Sequence, residues 1–357
     1  MLKKAAALFL VCASMATWIG CGTTTSHYLY AAIPGSNEIV VYREDPNSGV
    51  LTQLTGSPVT AGQAVQALAM HPSGKYLYTA NSGEGDVSLY TISTAGALTE
   101  VTPRTITGVG PQLLAIDKAG SFLYVGNSGS FNISVFSISS SNGALTPVAG
   151  SPFSIGVSPI NMALSPSGSV LYVTGGGSIG TSGVIQAFSL TAGVPALIAG
   201  SPFATGNSPY GLAITPSGNV LYTGNNTDNS ISEFTINADG SLTQLAGSPL
   251  GTQSAGPVAL QIDKSGAYLY VANQASSNVT GYSIGSDGAL TGLTTSPFGS
   301  GANPGTLATD PGGKYLFVGN QKSPVIQSFA LDTTSGTLTS VTSYSVPGAP
   351  TSIVITP

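Results

Sequence analysis

The sequence predicts an all-β, seven-bladed β-propeller with four antiparallel strands per blade. The C-terminal strand is expected to close the ring by joining the N-terminal blade. Three observations predict this. A Leu-aromatic pair returns seven times, with its aromatic at Tyr30, Tyr78, Tyr124, Tyr172, Tyr222, Tyr270 and Phe317, at intervals of 48, 46, 48, 50, 48 and 47 residues. Each interval holds four short runs of strand character and no sustained helical period, which excludes βαβ folds. The last seven residues, TSIVITP, match an inner strand that the first copy lacks (compare GLAITP at 211–216).

The third copy shows the elements in order. QLLAID (112–117) is an apolar run of buried-strand length, and AG turns the chain. SFLYVGN follows, rich in the aromatic and β-branched residues that strands favour. NISVFSI (132–138) makes a third strand, and GALTPVAGSPF (143–153) supplies a turn and a fourth. The 47 glycines and 23 prolines, without a collagen-like period, suit many turns between short strands. Joining the two chain ends in one blade removes an open sheet edge.

Before the ring, MLKKAAALFLVCASMATWIGC reads as an export signal: Lys3 and Lys4, then an apolar stretch from Ala5 to Ala16 too short to span a bilayer. WIGC at 18–21 resembles a bacterial lipobox. That resemblance implies a lipoprotein-type signal over 1–20, acylation of Cys21, a short tether through residue 26, and a propeller over 27–357. Cleavage after Ala16, giving a secreted protein, is the alternative. The chain is therefore expected in a bacterial cell envelope, touching the membrane only through its lipid.

Only 6% of residues are charged, against roughly 25% in typical soluble domains. Without residues 1–20, five Lys and two Arg face fourteen acids, a net charge of −7. Seven basic residues leave no footprint for nucleic acid. Cys21 is then the only cysteine, so no internal disulfide is available.

The seven copies can be read against one another. His71 corresponds to Asp117, Ser165, Thr215, Asp263, Asp310 and Thr356, just before a turn, and reads as a turn-capper on the face away from the mouth. His27 starts the ring. Asn81, Asn127, Asn225, Asn273 and Asn320 end the second strand in five copies. Amides can ligate calcium, but one per blade around a ring cannot converge on one ion, so turn hydrogen bonding is the reading. No cofactor is expected, calcium being the one alternative.

Positions that break the repeat are better candidates for a site. The residues opening the inner strand should ring the channel mouth. They read Gln66, Gln112, Ile160, Tyr210, Val258, Gly305 and Thr351, then Ala67, Leu113, Asn161, Gly211, Ala259, Thr306 and Ser352. Gln66, Gln112, Asn161, Tyr210 and Thr306 are the candidate ligand-binding residues. Glu233 has only uncharged counterparts, and Asp228 lies five residues earlier. These two are the candidate general bases, set against the reading of an acid tolerated at a blade edge. The fourth copy also carries a glycine-rich loop, TGGGSIGTSGVIQ at 174–186, in place of the Asn; no lysine or helix follows it as in a phosphate loop.

YLYTAN, FLYVGN and YLYVAN, with GALT and GSPF, resemble the YVTN-type repeats of the lactonase-like seven-bladed propellers, which include 6-phosphogluconolactonases and muconate-cycloisomerising enzymes. The resemblance covers the whole mature chain. It implies the fold and, as an expectation, lactone hydrolysis by His, Arg and Glu gathered at the mouth. Here only Arg43 and Arg104 are available, both in or near outer-strand segments, and neither His falls at the mouth. The sequence therefore favours a non-catalytic, lipid-anchored disc binding a small molecule, glycan, peptide or protein loop at its mouth. A lactone hydrolase with a degenerate site is the alternative.

Overall fold

The computed structural model describes residues 26–176 and 182–357. The export signal, Cys21, the tether before residue 26 and the centre of the glycine-rich loop (177–181) lie outside the described residues. Every regular element described is a strand, arranged in seven antiparallel sheets. In the first blade Ser352–Ile355 pairs with His27–Ile33, Tyr30 lying opposite Val354, so the chain ends share one sheet. The expected closure is the observed one.

The core lies between the blades. One buried cluster joins Tyr30, Val41 and Ile39 of the first blade to Leu68, Leu77 and Tyr90 of the second. Another joins Phe317 and Ile326 of the seventh to Leu29, Tyr42 and Ile353 of the first. The repeated aromatics explain why: Tyr30, Tyr78, Tyr172, Tyr222, Tyr270 and Phe317 are all fully buried. Five of these tyrosine hydroxyls donate to a glycine carbonyl of the next blade: Gly96, Gly143, Gly240, Gly288 and Gly336, at 2.6–2.9 Å. The seam thus buries each ring without stranding its hydroxyl.

The outermost strand departs from the expected four-strand blade. In five blades it is split, as Leu145–Pro147 and Phe153–Ser154 in the third. The intervening Ser-Pro, preceded by Gly in four blades and by Thr295 in the sixth, cannot continue a ladder, because proline lacks an N–H and fixes its backbone. The serine repairs the gap: Ser57, Ser151, Ser201, Ser248 and Ser296 Oγ accept the stranded N–H groups of Val41, Val135, Ala187, Glu233 and Gly281. Leu338–Ser345 of the seventh blade, without this Ser-Pro pair, is continuous.

Candidate functional site

A β-bulge builds the mouth of the channel. The second strand pairs Asn81 with Val65 and Ala80 with Ala67, passing over Gln66. The same skip leaves out Gln112, Ile160, Tyr210, Val258 and Gly305 in the next five blades. A bulged residue has no cross-strand partner and its side chain is re-aimed. One of the two positions that vary most among the copies is therefore one the ladder does not constrain. In the first blade Thr351 takes this place, its Oγ1 donating to Gln66 O at 2.8 Å.

Asn161 and Tyr210 meet in a pocket of about 320 Å³ at this end of the channel, with Ile160, Val258 and Gly305. Asn161 Nδ2 donates to Tyr210 O at 2.8 Å, and its Oδ1 accepts from Met162 N at 2.8 Å. The Tyr210 ring, 47% exposed, stands free beside them. Three further amides, Asn226, Gln274 and Gln321, complete the lining. Gln274 Nε2 donates to Asn303 Oδ1 at 2.9 Å and lies 3.3 Å from Gln321 Oε1. Sequence reasoning missed these three. The signal was available, since each follows the strand-ending Asn225, Asn273 or Asn320, where the second and third blades have Ser82 and Ser128.

Gly305 has a packing reason. A Cβ there would sit 2.4 Å from Gln321 Nε2, so only glycine lets that amide lie across the rim. Among the described residues, no Asp, Glu, His, Lys or Arg lines the pocket.

The other expected site residues fall elsewhere. Gln66 and Gln112 belong to the second and third blades and are not in this pocket. Thr306 is buried, its methyl packed toward Gly319 of its own blade. Asp228 is an exposed loop cap: its Oδ2 accepts from Asn207 N at 2.7 Å and its Oδ1 from Asn207 Nδ2 at 2.8 Å. Glu84, Ser130, Ser276 and Ser323 fill the same role in other blades, accepting from Gln63, Val109, Ala255 and Ala302 N.

Glu233 is not at the mouth. It lies on Ser230–Ile236, the third strand of the fifth blade, opposite Tyr222 and only 4% exposed. It faces the sixth blade. Burial raises its pKa and nearby Asp287 adds to this, while the Leu290 N–H acts in the opposite sense. Its Oε1 has no hydrogen-bond partner among the described residues. Its bulk and charge belong to a blade seam, so it is not positioned as a base for a ligand in the channel mouth.

The internal alignment also held an unread exception. Glu44 occupies the position of Ile92, Ile138, Leu190, Ile236, Ile284 and Leu331, and is 1% exposed with neither carboxylate oxygen partnered among the described residues. Burial, with Asp310 and then Asp45 nearby, raises its pKa to about 8.

The histidine and asparagine readings are matched by hydrogen bonds. His71 Nδ1 lies 2.7 Å from Ser73 Oγ and Nε2 3.1 Å from Gly120 O, at the end of the channel opposite the mouth. Its counterpart Asp310 accepts from Lys314 N and Tyr315 N, each at 2.6 Å. Each conserved-in-repeat Asn works within its own blade, as Asn81 Nδ2 does toward Asp86 Oδ1 at 2.7 Å and Ser88 Oγ at 2.9 Å. Arg104 is engaged on the outer strand by Glu84 and Glu100.

The family model described as lactonase, 7-bladed beta-propeller, matches residues 28–158, 153–301 and 282–355. The chain belongs to this lactonase family. Among curated proteins none matches the sequence. A crystal structure from Bacteroides fragilis, described as a putative 6-phosphogluconolactonase, superposes with a TM-score of 0.80 at 22% identity, over 94% of this chain and 99% of the other. The Pseudomonas aeruginosa periplasmic gluconolactonase gives 0.77 at 22% identity, over 93% and 99%. At these identities the likeness shows the fold. Within the lactonase family fold, the amide-lined mouth and the seam carboxylates are properties read from this chain itself.

Proposed function

We propose that the protein hydrolyses uncharged sugar lactones at the mouth bounded by Asn161, Tyr210, Asn226, Gln274 and Gln321. Family membership supports the reaction class, and the lining supports the substrate class. The observation that carries the choice is a mouth of amides and one exposed tyrosine without a lysine or arginine. Recognition of a phosphorylated lactone calls for such cations. Hydroxyls of a neutral sugar pair with amides, and its ring stacks on Tyr210. The free N–H groups of these amides can stabilise the oxyanion formed when water, losing its proton to solvent, adds to the lactone carbonyl; the ring C–O bond then breaks and its oxygen regains a proton from solvent.

The localisation belongs to the same proposal. His27 Nδ1 lies 3.2 Å from Thr356 O, and Tyr28 N donates to Thr356 Oγ1 at 2.9 Å, so the chain enters the ring on the face opposite the mouth. A lipid on Cys21, with a tether reaching at most roughly 20 Å, would hold that face to a bilayer and turn the mouth to solution.

One observation favours a second reading, a binding disc for a glycan or a peptide: among the described residues, no titratable acid or base other than Tyr210 lines this pocket. A hydrolysis assay with D-glucono-1,5-lactone and its 6-phosphate, with and without calcium, separates the two. Turnover of the neutral lactone, lowered about 10- to 100-fold in Gln274→Ala, is expected. Preference for the phosphorylated lactone would overturn the proposal. Silence on both lactones, with a sugar bound calorimetrically and lost in Tyr210→Ala, would establish the binding disc instead.

A further inference from the structure

The inner strands share one pattern along the channel. Their fourth position reads Val354, Ala69, Ala115, Ala163, Ala213, Gln261 and Ala308; the fifth reads Ile355, Met70, Ile116, Leu164, Ile214, Ile262 and Thr309. Each position has one polar exception, and the two exceptions meet. Gln261 Nε2 lies 3.5 Å from Thr309 Oγ1 across the seam of the sixth and seventh blades, and donates to Ile262 O at 2.9 Å. No donor of the described residues reaches Gln261 Oε1.

Both side chains line a cavity of about 650 Å³ at the end of the channel opposite the mouth. Leu164, Ile214 and Ile262 form its apolar wall, with Pro216, Pro311 and Pro357 at the lip, and Asp263, Lys264 and Asp310 complete the lining. Its volume is within the range of small-molecule sites, and it sets a few placed polar groups beside an apolar wall. The charges at its edge are engaged. Asp310 Oδ2 accepts from Gly312 N at 2.8 Å, Asp263 Oδ1 from Tyr268 N at 2.7 Å, and Lys264 Nζ donates to Pro311 O at 2.8 Å.

We propose that this cavity is a second binding site, distinct from the mouth, for a small uncharged molecule with an apolar body and one hydroxyl or amide donor received by Gln261 Oε1. Asp263, Asp310 and Lys264 are each held by backbone hydrogen bonds, which leaves the Gln261 amide as the free polar group for an uncharged ligand. The amide selects the polar end of the ligand, and the leucine, isoleucine and proline walls take the rest.

The repeat supplies the test, because Gln261→Ala and Thr309→Ile restore residues that most other blades already carry. The probes are benzyl alcohol, toluene and benzoate, and the readout is the methyl NMR signals of Ile214 and Ile262. Benzyl alcohol is expected to shift both signals. Its affinity should fall about five- to tenfold in the double variant, the loss of one hydrogen bond, while toluene is unaffected and benzoate binds weakest. Gln261→Met, which keeps the length and removes the amide, gives the same comparison if the double variant does not fold. The proposal is overturned if no probe moves these methyls, or if benzyl alcohol binds the variants as well as the parent. Lactone turnover at the mouth should be unchanged in both variants, so the two sites stand or fall separately.

Discussion

Ser328 Oγ donates to Gly49 O at 2.9 Å across the seam where the seventh blade meets the first. At five other seams a tyrosine hydroxyl fills that role, but here the repeated aromatic is Phe317, which has none. Ser328 lies directly opposite Phe317 on the neighbouring strand, so the missing donor returns from the next strand over. Gly49 itself has φ +65° and carries the Tyr315 ring against its Cα, leaving no room for another residue. Ser328→Ala strands a buried carbonyl and should cost about 1–2 kcal/mol in chemical denaturation. Adding Phe317→Tyr should restore part of that loss, because tyrosine supplies the donor used elsewhere in the ring. No rescue would mean that the seam's stability does not depend on this bond.

Glu44 gives the same seam a pH dependence. It is faced by His27 across the strand pair, by its neighbour Asp45, and by Asp310 and Tyr315 of the seventh blade. Its folded pKa, about 8, exceeds that of an exposed glutamate. Between roughly pH 4.5 and 8 the folded chain therefore holds a proton that the unfolded chain releases. Stability from this group is complete below the ordinary carboxylate range and is lost as pH rises through about 8. Urea titrations at pH 5 and pH 9 should differ by about 2–4 kcal/mol from this cause. Glu44→Gln should remove most of the difference and leave the protein more stable at pH 9. An unchanged pH profile in Glu44→Gln would assign the dependence to another group.

The blade count, the ring closure and the turn caps were legible because they repeat, and seven copies make a pattern stronger than any single strand signal. The mouth was legible only in part. Asn161 and Tyr210 were found as repeat-breakers, but Gln66 and Gln112 break the repeat equally and face a different part of the rim. Sequence marks a bulged position as unconstrained; which arc of the ring forms a pocket depends on the amides of neighbouring loops, Asn226, Gln274 and Gln321. Glu233 was legible as an exception, and of its two readings the structure matches the acid held at a blade edge, on the strand face that looks toward the sixth blade. Glu44 shows the same blind spot: its identity among six isoleucines and leucines was visible, while its burial against Asp310 needed the closed ring.

The rim glycine offers a test of the mouth that removes no polar side chain. In Gly305→Ala the new methyl would occupy the space now taken by the Gln321 amide, which must swing away. If Gln321 helps hold a sugar lactone, KM should rise about three- to tenfold with little change in kcat, the mark of lost ground-state binding. Gly305→Ala combined with Gln321→Ala should then be no worse than Gln321→Ala alone, because the methyl acts only through that side chain. An additive loss would mean that Gly305 serves the backbone instead.

Glu233→Gln decides whether any carboxylate acts in the reaction. The side chain lies between the fifth and sixth blades, and its amide replacement keeps its volume while removing a buried ionisable group. Lactone turnover should be unchanged across pH 5 to 9, and stability above neutral pH should rise by about 1 kcal/mol. Gln274→Ala, at the mouth, should behave in the opposite way, with turnover reduced and stability nearly constant. The pair of variants separates chemistry from architecture. A turnover loss in Glu233→Gln of tenfold or more, with the fold intact, would show that the seam carboxylate reaches the substrate. The amide mouth would then be a binding surface only.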